Sequence, residues 1–152
     1  MKPSRRWALP SLSLALMLSA LILGVRPAPA KDAVANSVAI TGTVKVWVDG
    51  KEKTGVGVRV VVGKDLNYKT GDSGTDTVSA KPPYETITDD QGQFTISVPA
   101  AGQYGILLWK AGFTPQTDTL NAPGSYTGSI AKDNQVASGG HHQQLKVSGA
   151  QR

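Results

Sequence analysis

From residue 38 onward the chain alternates between apolar and polar positions. In VAITGTVKVWVDG, Val44, Val46 and Val48 fall on one side of an extended backbone and Lys45 and Trp47 on the other, and Asp49-Gly50 ends the run. GVGVRVVVG repeats the device, with Val56, Val58, Val60 and Val62 inward and Arg59 outward. YETIT (84–88) predicts a third strand. QFTISVP predicts a fourth, with Phe94, Ile96 and Val98 inward and Thr95 and Ser97 outward, until Pro99 halts it for want of an N–H. Between these two, Asp89, Asp90, Gln91 and Gly92 mark a hairpin reversal. GQYGILLWKAGF supplies a fifth strand that is apolar on both sides, Tyr104, Ile106 and Leu108 on one face and Leu107 and Trp109 on the other. TPQTDTL is a sixth, and HQQLKVS, with Leu145 and Val147 on one face, a seventh. No 3.6-residue apolar period follows Val25, so the crossover helices of an α/β fold are missing. Short strands separated by turn signals predict an all-β sandwich over residues 38–149.

Two connections stand apart from this pattern. Residues 63–83 and 121–140 are rich in Gly, Ser, Thr, Asp and Pro and poor in apolar side chains, and both read as long surface loops. The N-terminus differs again. Lys2, Arg5 and Arg6 precede an apolar stretch from Ala8 to Val25 and the small-residue ending Ala28-Pro29-Ala30, the order of a secretory signal peptide cleaved after Ala30. The apolar stretch also approaches the length of a membrane anchor, but Pro10, the serines and the A-x-A ending favour cleavage. Residues 31–37 then form a short linker, and the exported domain would be periplasmic or extracellular, with no stable membrane span.

That division changes the meaning of the charge. The whole chain carries a formal +5, but residues 1–30 hold four basic and no acidic residues, which leaves +1 on the remaining 122. The basicity belongs to targeting, and a nucleic-acid partner loses its support. The chain has no cysteine, so packing rather than disulfides must hold one core.

The segments ITGTVKV, GVGVRVVV and TITDDQGQFTISVPAAGQYGILLWKAGF resemble the carboxypeptidase regulatory-like domain, a transthyretin-like (prealbumin-like) module. The matching positions are Gly42, Gly55, the run Thr88 to Phe94, Gly102-Gln103-Tyr104 and Gly112-Phe113, and the likeness covers roughly residues 38–120. The resemblance implies a seven-stranded Greek-key sandwich, immunoglobulin-like in layout, found in exported bacterial proteins and without catalytic activity of its own. It implies a binding or structural module whose partner is a protein or a polysaccharide at the cell envelope.

Candidate chemistry is sparse. His141 and His142 have Gln144 and Leu145 three places on, so no zinc-binding H-x-x-E pattern arises. The 5-hydroxyisourate hydrolases of transthyretin type end in Tyr-Arg-Gly-Ser, whereas this chain ends SGAQR. Tyr68, Tyr84, Tyr104, Tyr126 and the His pair supply residue types used by intradiol dioxygenases to bind iron, but Tyr104 reads as core. Asp72 and Asp76 in DSGTD could offer oxygens to calcium, without EF-hand spacing. Lys45 points outward among inward valines, which argues against a buried Lys–Asn isopeptide crosslink. No nucleophile elbow occurs, and neither catalytic residues, metal ligands nor a cofactor are assigned. The candidate ligand or partner patch is aromatic: Trp47, Leu107 and Trp109, on faces that a sandwich turns to water. Exposed tryptophans would suit a carbohydrate-binding module; the alternative is that the 63–83 loop or the late segment folds over them.

Overall fold

The structure is a computed structural model and describes residues 36–133 and 143–149. The signal peptide, most of the linker, His141 and His142 lie outside the described residues. Among the described residues every regular element is a strand, and no helix is long and apolar enough to cross a membrane.

Among the described residues eleven strands form three sheets, against the seven strands expected. In the first sheet β1 (Val38–Val48) is central. β10 (Gly124–Ala131) pairs with it in parallel along one side, while β7 (Gln93–Val98) and β2 (Lys51–Thr54) share the other side as antiparallel neighbours. The middle sheet is antiparallel throughout, in the order β6 (Tyr84–Ile87), β3 (Arg59–Gly63), β8 (Gly102–Trp109), β9 (Gln116–Ala122). The third sheet is small: β11 (Gln144–Ser148) lies parallel to β5 (Thr75–Ser79), which pairs with β4 (Asn67–Lys69).

The alternation explains the first two layers. Ile40, Val44 and Val46 from β1, Phe94 and Ile96 from β7, and Ile130 from β10 face Val58, Val60, Val62, Ile106 and Leu108 in one dry cluster. A fully buried side chain of this size contributes about 1.5 to 3 kcal/mol, so this layer boundary is the main source of stability. The reversal expected as a hairpin is a tight turn, but its arms part: β6 pairs with β3 and β7 with β1, in different sheets. Asp89 accepts from the N–H groups of Gln91 (2.9 Å) and Gln93 (2.8 Å), and Gly92 takes a φ of +74° where a Cβ would meet the Val44 carbonyl at 2.6 Å.

The third sheet corrects the two-layer expectation. The segment 63–83 is not a bare loop, because β4 and β5 lie within it, and the segment 121–140 contains β10. β4, β5 and β11 bury the second face of the middle sheet: Val61, Leu107 and Trp109 pack against Val78 and Leu145. Gly105 permits the close approach, since a Cβ there would stand 2.6 Å from the Leu66 Cβ. A sheet covered on both faces reads as continuously apolar rather than alternating, which is why β3 is VVV and β8 is ILLW. Val56, expected inward, is instead 39% exposed. It precedes Gly57, whose φ of +66° turns the chain before β3 begins.

Candidate binding face

The outer face of the first sheet is built by the odd-numbered positions of β1. Thr41, Thr43, Lys45 and Trp47 point away from the core, and the strand register places neighbours beside each. Ser125 and Thr95 flank Thr41, and Thr127 and Gln93 flank Thr43. Ser129 and Thr54 flank Lys45, while Ala131 and Glu52 flank Trp47. Strand geometry sets the lattice at about 4.8 Å across the strands and about 6.7 Å between rows. The first two rows carry five hydroxyls and one amide, all neutral, and form the floor of an open dish of about 480 Å³.

The rim of the dish is accounted for chemically. Asp89, the acidic residue at its edge, spends Oδ1 on the two N–H groups of its own turn. Tyr126 lies beneath the floor, its phenol pushed up to about 12 chiefly by burial and further by Asp118, whose Oδ2 is 3.4 Å away. It is neutral at any physiological pH and supplies no base. Ile87, 59% exposed, adds an apolar lip. At the far end of the face Lys45 is exposed and paired with Glu52, and Trp47 is 42% exposed beside them.

The sequence-derived patch divides. Trp47 is exposed as expected, but Leu107 is fully buried and Trp109 is 5% exposed, so the three residues do not share a surface. The physical reason is the third sheet. Trp109 donates its indole N–H to Asp76 Oδ2 at 2.9 Å, Tyr68 donates its hydroxyl to the same oxygen at 2.8 Å, and Gly71 N–H reaches Oδ1 at 3.2 Å. Asp76 is fully buried, so its oxygens face indole, phenol and backbone rather than a solvent-borne calcium ion. Burial, then the bond to Asp76, push the Tyr68 phenol up to about 12. Arg59 fastens the other side of this sheet, donating from Nε to Glu85 at 2.7 Å and from Nη1 to the Leu145 carbonyl at 3.0 Å. Asp72 remains exposed, and among the described residues no three His, Cys, Asp or Glu side chains converge.

Two features escaped the sequence reading. Ser125, Thr127 and Ser129 lay in a supposed loop, although the inward positions Tyr126 and Ile130 frame them as the outward face of a strand. Asp76 was weighed only as a surface ligand, although it shares strand parity with the buried Val78.

No protein-family model matches the chain, and no curated protein matches it. Among solved structures it is similar to the minor pilin GBS52 of Streptococcus agalactiae, at 13% identity and a TM-score of 0.45 over 64% of this chain. A 9R-lipoxygenase from Cyanothece follows at 12% and 0.35 over 66%, and a carbohydrate-binding candidate from Pseudomonas aeruginosa at 13% and 0.36 over 74%. The chain spans 45% of the pilin, 17% of the lipoxygenase and 89% of the third protein. Likenesses at this level establish neither a family nor an activity.

Proposed function

We propose that this chain is a non-catalytic binding or structural module of the carboxypeptidase regulatory-like, transthyretin-like type, exported to the periplasm or beyond. The signal-like order of residues 1–30 supports export. The shared motif at Thr88 to Phe94, a tight turn with Gly92 at positive φ that leads from β6 in one sheet to β7 in another, supports the fold type. Consecutive strands that change sheet, β6 to β7, β7 to β8 and β9 to β10, support the Greek-key path.

The observation that carries the functional reading is the neutral hydroxyl lattice of Thr41, Thr43, Thr95, Ser125 and Thr127. Hydroxyls both donate and accept, and threonine adds a methyl group, so such a surface suits a neutral polar partner held by many weak contacts. Trp47, exposed on the same face, favours a polysaccharide over a protein, because an indole offers an apolar plane to a sugar ring. Trp109 has no part in this.

Affinity electrophoresis through gels containing neutral polysaccharides tests the reading. Retardation by at least one glycan, reduced in Trp47→Ala and abolished in Thr43→Glu, is the expected result. Retardation that neither substitution changes would remove this face from the function. A protein held to the cell envelope but passing every glycan unhindered would transfer the role to a protein partner.

A further inference from the structure

Edge strands usually carry a charge that discourages pairing with another chain. Here β2 has Lys51, Glu52 and Lys53, β4 has Lys69, β6 has Glu85, β9 has Asp118 and β11 has Lys146. β7 is neutral too, but it runs close beside β6 of the middle sheet, to which the Asp89–Gln93 turn joins it. β10 is different. Its sequence, GSYTGSIA, is eight residues long, bears no charge and no proline, and ends the first sheet among the described residues.

The direction of its peptide groups follows from two bonds. Lys132 donates its N–H to the Trp47 carbonyl at 2.8 Å, and the Ala131 carbonyl accepts from Thr114 N–H at 2.8 Å. Successive residues of a strand alternate sides, so even-numbered residues turn toward β1, and Ser125, Thr127 and Ser129 aim N–H and C=O away from it. Among the described residues these three have no ladder partner on that side, and with hydroxyl side chains above and Tyr126 and Ile130 buried below they make a flat template for one more strand.

We infer that this template takes β10 of a second copy of the chain, in antiparallel, isologous pairing. A two-fold axis sets each residue near its own counterpart, so a charged strand would repel itself. β10 escapes this penalty, as β7 does, and unlike β7 has no strand running beside its outer edge at Ser125 to Ser129 among the described residues. Pairing about Thr127 sets Thr127 against its own copy and Ser125 against Ser129, ladder groups to ladder groups, with Thr and Ser hydroxyls opposed across the seam. The two hydroxyl faces then run together as one sheet surface. Asp118 on the adjacent edge strand opposes the same join in the middle sheet, so only the first sheets merge.

The chain's lack of cysteine makes the test direct. Opposed ladder residues have Cα atoms about 5.5 Å apart, within disulfide reach. Under mild oxidation, Thr127→Cys, or Ser125→Cys mixed with Ser129→Cys, should give a reducible dimer, while Thr43→Cys in the middle strand should not. Sedimentation equilibrium of the unmodified protein should show a monomer–dimer exchange, weakened at least about tenfold by Thr127→Lys and unaffected by Thr43→Lys. A monomer at all concentrations overturns the inference. So does a dimer indifferent to Thr127→Lys, or equal crosslinking at Thr43 and at the β10 positions.

Discussion

Trp47 and Trp109 occupy equivalent places in their strands, each on the face away from the main core, yet one is 42% exposed and the other 5%. The strands do not decide this. Trp47 lies beside Glu52 and Ala131 on a face of β1 that no other sheet covers among the described residues, whereas β8 is roofed by a third sheet assembled from residues 67–79 and 144–148. An outward tryptophan is thus a question about the rest of the chain, and the two answers give the molecule one wet face and one dry structural face.

The largest effect that sharpens this contrast is truncation. Trp109→Ala removes a buried indole and its bond to Asp76, and should cost about 3 to 5 kcal/mol in urea unfolding. Trp47→Ala should stay within about 0.5 kcal/mol of the parent, as surface substitutions do. Equal losses at the two positions would erase the distinction. Next comes Asp76→Ala, which leaves the Trp109 and Tyr68 donors facing apolar atoms and should cost about 1 to 3 kcal/mol by the same unfolding measurement.

A smaller effect is alkaline. Tyr68 and Tyr126 have folded pKa values near 12, above the unfolded value of 10.0, so the folded state holds their protons more tightly. Their contribution is fully present below pH 10 and is lost as pH rises toward 12. Thermal unfolding followed from pH 9 to 12 should show this decline, and Tyr68→Phe and Tyr126→Phe should each flatten part of it. The least perturbing variant, Thr43→Ser, keeps the hydroxyl and should leave both stability and glycan retention nearly unchanged.

Much of the fold was legible because one layer boundary obeys simple alternation. Val44 and Val46, Phe94 and Ile96, and Tyr104 and Ile106 all announced their direction by period two. The third sheet was hidden for an equally physical reason. β4 and β5 are short and polar, each burying only one or two side chains, so their residues resemble a loop. β10 was masked by Gly124 and Gly128, which weaken strand propensity, and its partner β1 lies in parallel and far away in sequence. For the candidate site, Trp47 could be picked out by its outward parity in an alternating strand. The hydroxyl lattice could not, because Thr41, Thr95 and Ser125 become neighbours only through register.

The claim on which the account rests is that the third sheet seals Trp109 and leaves Trp47 to solvent. Acrylamide quenching of two single-tryptophan proteins tests it, one carrying Trp7→Phe and Trp47→Phe, the other Trp7→Phe and Trp109→Phe. Blue-shifted, quencher-resistant emission from Trp109 beside red-shifted, readily quenched emission from Trp47 is the predicted result, and a Trp109 quenched as readily as Trp47 would contradict it.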